Sequence, residues 1–278
     1  MSNAKKMRRN QRIGFAFLYA AATLTIVVIL TIVLYIFIKG APYISWEFLT
    51  SAPEGNGTEG GIFPMIVNTV LLVGLTLLFV TPVGIGAAIY MTEYAKQGFW
   101  VKLIRQATEN LSAIPSIIFG LFGFIFFGKV LGLGWSLLNG ALTAAIVVLP
   151  LIVRTAEEAI LSVPQIYREG SLALGASRWQ TIRKVVLPAA TPGILSGVVL
   201  SIGRVVGETA ALLFTLGSAD RMATSVMDSA RSLSLHVYIL AHDGIGFDQV
   251  YATSTVLIVV VLILNLSAVF LTRKRRGQ

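Results

Sequence analysis

Six stretches of this sequence are long and apolar enough to cross a lipid bilayer, and they dictate what the chain can fold into. A helix needs about 20 apolar residues to span the hydrocarbon core. The stretches are Ile13–Ile38, Gly61–Met91, Asn110–Gly128, Leu137–Val153, Gly193–Gly217 and Val250–Thr272. Only 13% of the 278 residues are charged, against 55% hydrophobic, whereas a soluble domain carries about a quarter charged residues. Such a chain cannot clothe itself in polar surface, so the reading is an all-α integral membrane protein with six transmembrane helices. The first stretch follows a basic tail, but its apolar run is much longer than the roughly 7–15 residues of a signal-peptide core. It is therefore expected to be a retained helix.

The net charge of +9 would suggest nucleic acid in a soluble protein, but its distribution excludes that. Of the 22 lysines and arginines, 17 fall on the two termini and on alternate connections (Lys96, Lys102 and Arg105; Arg154 to Lys184). Only Lys39, Lys129, Arg221 and Arg231 fall on the other side. By the positive-inside rule both termini are expected in the cytoplasm. The absence of cysteine excludes disulfides and thiol chemistry. His236 and His242 lie in a polar stretch without obvious carboxylate partners, and are read as solvated loop residues that hold no metal.

The fifth stretch, "GILSGVVLSIGRVVGETAALLFTLG", contains Arg204 and Glu208, and no other formal charge lies between Lys184 and Asp220. The expectation puts both on one face of one helix near the bilayer midplane. A charge there costs about 2.5–3.5 kcal/mol, so it must pair or act. Two readings stand: a neutral clamp between helices, or an arginine that contacts a transported anion through its planar fork, with Glu208 holding it when the path is empty. Arg154, followed by Glu157 and Glu158, is either a positive-inside anchor in a helical salt bridge or a second contact at the exit. Asn68, Thr69 and Ser116 are expected to hydrogen-bond neighbouring helices. Pro82, Gly84, Gly86, Pro115, Gly120 and Gly123 are expected to permit close packing and bending. They lack the strand–loop–helix context and the lysine of a phosphate-binding loop, so the chain is read as having no ATP site of its own and no catalytic residues.

The connection from Arg154 to Pro188 carries two helix-start signals, Ser162 with Gln165 and Ser177 with Gln180. Gly175 between them suits a left-handed turn. Ile166 and Leu174, and Trp179, Ile182 and Val186, give each helix an apolar face. Thr191-Pro192 reads as the start of the next span. Beyond the membrane, "APEGNGTEGG" reads as a flexible loop with an Asn56-Gly57-Thr58 sequon. Met222, Val226, Leu233, Val237 and Leu240 are consistent with an interfacial helix that caps the path or meets a solute-binding protein.

Glu169, Gly170, Ser171, Gly175, Val185, Leu187 and Pro188 match the spacing of the E-A-A…G…I-x-L-P loop of ATP-binding-cassette importer permeases, with small residues in place of the alanines and valine for isoleucine. The strings "GGIFPMIVNTVLLV", "TPVGIGAAIYMTEYA", "IPSIIFGLFG" and "GRVVGETAALLFTLGSA" resemble the permeases of the phosphate-specific transport system, of the PstA subunit type. The resemblance covers most of 60–272 and implies a type I importer permease. It would be a single membrane domain over 1–278, with a first helix at 13–38, a permease core at 61–272 and a cytoplasmic coupling loop at 154–188. It also implies a PstC-type partner permease, a PstB-type ATPase dimer that uses ATP-Mg and docks on the loop, and a PstS-type binding protein outside. Left open by the residues are another oxyanion, such as sulfate or molybdate, and an ion-gradient carrier or channel, which would call for inverted repeats.

Overall fold

A computed structural model describes residues 2–96 and 98–276, with side-chain surroundings from Gln11 onward except at 268, 269 and 271–276. The basic clusters at 5–9 and 273–276 thus lie outside the described side chains. The chain is a helical array. Helix α1 (Ser2–Gly40) leads into a short α2 (Trp46–Thr50) and a two-stranded hairpin, β1 (Pro53–Glu54) with β2 (Glu59–Gly60). Next come α3 (Phe63–Ile89), α4 (Phe99–Ala113), α5 (Ser116–Gly123) and α6 (Leu137–Leu161). They are followed by α7 (Gln165–Ala173), α8 (Arg178–Thr181), α9 (Leu187–Val206), α10 (Ala210–Thr215), α11 (Leu233–Asp243) and α12 (Phe247–Arg276).

Five helices are long and apolar enough to span a bilayer, and a sixth span arises when the bent pair over Phe99–Val130 is counted as one. The third stretch therefore differs from expectation. The chain turns through 99° between Ala113 and Ser116, where Ile114 and Pro115 are extended, as a residue before proline prefers. The apolar arm of this bent pair begins at Ser116, and residues 110–113 belong to α4, whose polar and apolar residues alternate at helical spacing. The fourth stretch starts at Leu137 as expected but runs on to Leu161. Helix α6 is the buried centre of the array, packed between α3 and α9. By contrast, no part of the apolar window of α1 is buried within the chain, and α1 touches chiefly α12.

Close helix contacts are set by small residues. A side chain at Gly84 would meet Ile152, one at Gly123 would meet Thr143, and one at Gly120 would stand 2.8 Å from the backbone of Ala211. Gly86, expected to act likewise, has open space around it. Because backbone cannot retreat as a flexible side chain can, Gly120→Leu is expected to push α10 off α5. A destabilisation of about 1–3 kcal/mol or more should follow, seen as a lower midpoint for thermal unfolding in detergent. Gly86→Leu should leave that midpoint unchanged.

At the end of the array away from α7 and α8, polar side chains hold the loop before α11. Asn68 donates to the carbonyls of Arg221 (3.0 Å) and Arg231 (3.4 Å) and accepts from Ala223 N–H (2.9 Å). Thr69 Oγ1 accepts from Leu233 N–H at 3.0 Å. Thr69 thus bonds a neighbouring helix, α11, as expected, whereas Asn68 pins the loop before it. The interfacial helix is present only as α11; residues 218–232, with Met222 and Val226, are irregular.

His236 corrects a second expectation. It is 1% exposed, and its Nδ1 accepts from the Arg231 guanidinium at 3.2 Å. Burial, then the Arg231 charge, lower its pKa to about 4, so it is neutral at ordinary pH. His242 is exposed, as expected. A histidine whose folded pKa lies below its unfolded 6.5 binds fewer protons when folded. Stability is therefore complete above pH 6.5 and drains away as pH falls toward 4, by about 3 kcal/mol at most. The unfolding midpoint is expected to drop over that window, and His236→Gln, which accepts from Arg231 without titrating, should flatten the drop.

Candidate functional site

The fifth apolar stretch is not one helix. The helix that enters it begins at Arg178, widens through a π-helical segment at Ile182–Val186 and continues as α9 to Val206. Residues 207–209 are non-helical, and α10 then starts at Ala210. Thr191 does not cap a new span; its hydroxyl donates back to the Leu187 carbonyl inside a continuous helix. The break at 207–209 is fixed from outside the segment, since Ser234 Oγ donates to the Glu208 carbonyl at 2.7 Å. Glu208 Oε1 accepts from Ala211 N–H at 3.2 Å, supplying a cap to the short helix beyond the break.

The depth of this break follows from helix packing. A side chain at Gly193 would meet Ala159, and one at Gly197 would meet Thr155, so α9 runs antiparallel to α6 with these residues level. Carried along, that register brings Arg204 level with Val148, at the middle of the 25-residue α6. The helix expected to be shared with Glu208 is interrupted between the two residues. The two charges form no ion pair; the ion pairs among the described residues are Arg105–Glu157, Arg154–Glu158 and Arg168–Glu93. Arg204 is exposed on the face of α9 that also carries Leu200 and Gly207, while its neighbours Val205 and Val206 are buried. A guanidinium within a bilayer, with no ion pair among the described residues, does not face lipid without the cost of a membrane charge. That face must meet water or another polypeptide.

Arg154 lies within α6, seven residues before its end, and its Nε donates to Glu158 at 3.0 Å in an exposed helical pair. The adjacent Glu157 instead accepts from Arg105 of α4 at 2.7 Å. The two pairs line a cleft of about 380 Å³ with Thr108, Glu109 and Ser112.

At the same end, α7 and α8 form the helix–turn–helix expected within 154–188, although α6 runs on to Leu161 and α8 continues without a break into the spanning helix. Ser177 and Gln180 make the reciprocal capping box, and Gly175 has φ +82° in the turn between the helices. Ser162 does not cap α7: it closes α6, with its hydroxyl donating to the Ala159 carbonyl, and Pro164 precedes α7 without a side-chain cap. Pro164 rigidly sets the entry, which makes the cap dispensable. Glu169 and Gly170 are exposed on α7, and Ser171 Oγ lies 2.9 Å from Thr181 Oγ1. Leu187 and Pro188 sit inside the continuous helix that leads to α9. No residue of α7 is buried. Ile166 and Leu174, with Trp179 beyond, are 70%, 90% and 53% exposed. Ile182 and Val186 are buried and belong to the spanning helix. A further anchor of α7, which the sequence reading missed, is Arg168. Its guanidinium bonds Glu93, at the π-helical continuation of α3 (Tyr90–Tyr94), and the Ile160 and Val163 carbonyls at the end of α6. The visible signal was the lone acidic residue in "MTEYA" facing a basic loop.

Residues 81–275 match the family model described as binding-protein-dependent transport system inner membrane component. A relative from Bacillus subtilis (strain 168), "Probable ABC transporter permease protein YqgI", is 36% identical over 250 residues, covering 84% of this chain and 85% of that one. "Phosphate transport system permease protein PstA 1" of Mycobacterium tuberculosis (strain ATCC 25618 / H37Rv) is 35% identical over 224 residues, covering 78% and 72%. Among solved structures, a chain of a bacterial alginate ABC transporter aligns with a TM-score of 0.68 at 20% identity, over 93% of this chain and 94% of that one. A chain of the MetNI methionine ABC transporter aligns with a TM-score of 0.59 at 21% identity, over 77% and 94%. The architecture is that of a type I importer permease, and the chain belongs to the binding-protein-dependent transport system inner membrane component family, the multi-pass permease subunits of ABC importers.

Proposed function

We propose that this chain is the PstA-type permease subunit of an ATP-driven importer of inorganic phosphate. The observation that carries the reading is Arg204: a guanidinium in an apolar stretch, with no ion pair among the described residues, on an exposed helix face beside a helix break. A guanidinium stays protonated anywhere along a path and presents a fork matched to phosphate oxygens. Relatives named as phosphate transport permeases, at 31–35% identity, support the choice of anion. The open face of α9 meets a PstC-type partner permease, so that the two halves enclose the path and the remaining outer surface meets lipid. Arg154, at the end of the path near α7, adds a second cation held by Glu158.

The chain performs no covalent chemistry. A PstB-type ATPase dimer binds and hydrolyses ATP-Mg, and it docks on the outward apolar residues of the 154–188 loop, with Glu169, Gly170, Ser171 and Gly175 shaping the docking element and Leu187-Pro188 joining it to the span. A PstS-type binding protein delivers phosphate at the far side, where 218–232 and α11 form the cap. The 17 basic residues at one end, against four at the other, support cytoplasmic termini and docking loop. The test is labelled phosphate uptake by cells expressing the assembled complex, with and without a hydrolysis-dead ATPase, and with excess sulfate. Uptake that dies with hydrolysis and ignores sulfate is expected. Uptake that survives without hydrolysis would sink the reading, and competition by sulfate would reassign the cargo.

A further inference from the structure

Helix α7 presents a mechanical problem. It carries the residues read above as the ATPase docking element, yet buries none of its nine residues. A surface helix is ordinarily held by an apolar face packed on the core, and α7 has that face turned outward. Force applied to such a helix reaches the spans through its short Val163-Pro164 entry from α6 and through whatever polar contacts tie it down. Two exist among the described residues: the Ser171–Thr181 hydroxyl pair, which ties α7 to the start of the helix that continues as α9, and the guanidinium of Arg168, which ties it to α3 and α6.

Arg168 uses its donors on three elements. Nε and Nη2 donate to Glu93 Oε1 at 3.1 and 2.9 Å, Nη2 also to the Ile160 carbonyl at 2.9 Å, and Nη1 to the Val163 carbonyl at 2.6 Å. The carbonyls at the C-terminus of α6 have no partner in their own helix, and the partial negative charge there favours a cation. Glu93 is 8% exposed, and the two side chains of the pair are 14% and 10% exposed, so water screens little of their attraction. Glu93 itself sits where α3 widens into a π turn, a distortion that accompanies functional positions more often than plain helix. Beside the pair a cleft of about 740 Å³ lies between α7 and α8 and the ends of α3 and α6, and Arg178 of α8 reaches across it to the Tyr94 ring, 5.4 Å from its centre.

We infer that the Glu93–Arg168 pair is the element that transmits movement of the docking helix to spans α3 and α6, and so couples ATP hydrolysis to opening of the path. It rests on the importer reading above. Arg168 and Glu93 are positioning residues: neither touches ATP or the transported anion. Arginine suits the task because its planar fork holds three elements in one geometry, which a lysine point charge would not.

The test uses the complete complex with its ATPase and binding protein in proteoliposomes, measuring ATP hydrolysis and labelled phosphate uptake together. Glu93→Ala and Arg168→Ala are expected to keep the ATPase bound and hydrolysing within about twofold of wild type, while uptake per ATP falls about tenfold or more; the double variant should fall no further than the worse single one. A second variant guards against simple loss of folding. The chain has no cysteine, so Glu93→Cys with Arg168→Cys, beside cysteine-free partners, can be bridged by short bifunctional thiol reagents of graded length. Bridging is expected to restore at least half of the lost coupling ratio. Unchanged uptake per ATP in the alanine variants would overturn the linkage, as would loss of the ATPase from both, which would assign the pair to docking alone. A bridged variant that stays uncoupled would overturn it too. Wild-type uptake that ignores hydrolysis would instead bring down the importer reading, a result distinct from variants that couple as well as a coupled wild type.

Discussion

Arg204→Gln is expected to abolish phosphate uptake while the complex assembles in normal yield. Arg204 forms no ion pair with any described residue, and its face of α9 is open. Its removal therefore leaves no buried carboxylate stranded, which is the usual reason that a membrane charge change destroys a fold. On the proposed function, what it removes is a charged donor pair that contacts the anion. Each charge-assisted hydrogen bond to an oxyanion is worth about 1.5–3 kcal/mol. Losing a bidentate contact should slow uptake by roughly a hundredfold or more. Arg204→Lys keeps the charge without the fork, and should retain a measurable fraction of the rate. Glu208→Gln separates the two roles considered for the carboxylate. The structure shows Glu208 capping Ala211 N–H, a bond that a glutamine oxygen can also accept. If capping is its work, Glu208→Gln should cost little. If it also holds Arg204 in the empty path, affinity for phosphate should rise as that competitor is lost. Normal uptake by Arg204→Gln, in cells with equal amounts of complex, would remove the arginine from the path.

The sequence made the fold legible to the extent that apolar length decides it. Four of six spans begin or end near where their apolar runs do, because nothing but a helix satisfies its backbone within lipid. The two misreadings share a cause. The fifth run stays apolar through Gly207, so no local signal marks the break; the bond that fixes it comes from Ser234, 26 residues further along the chain. The third run was read from its apolar edge at Asn110, although Pro115 marked the turn more truly than hydropathy did. Gly175 was readable because a left-handed turn needs a glycine and the flanking starts framed it. His236 was not, since its burial comes from Arg231 and from the hairpin residue Gly57, which a neighbour count along the sequence does not reveal. The candidate site shows the same division. Arg204 declared itself as a charge among apolar residues, whereas Glu93 and Arg168 look like ordinary surface residues until the fold brings them together.

Leu174→Asp should separate docking from folding more cleanly than any change to the charged residues of the loop. Leu174 closes the C-terminus of α7 and is 90% exposed, so within this chain it has almost nothing to lose. A lone exposed leucine needs no explanation. Here, however, Ile166 and Trp179 lie exposed on the same two-helix unit, whose turn Gly175 holds in a conformation few other residues adopt. A rigidly presented apolar group of this kind is what a partner's groove can bury, and a few such anchors carry most of an interface's energy. Burying a carboxylate in their place is unfavourable both by lost apolar contact and by desolvation. The loss at such an anchor is about 2 kcal/mol or more, close to thirtyfold in the affinity for the ATPase. The variant permease is expected to reach the membrane and pair with its partner permease normally, to release the ATPase on purification, and to lose ATP-driven uptake. Leu174→Met, apolar and of similar volume, should behave as wild type. Retention of the ATPase by Leu174→Asp would move the docking surface elsewhere, and the exposed face of α7 would then need a different occupant.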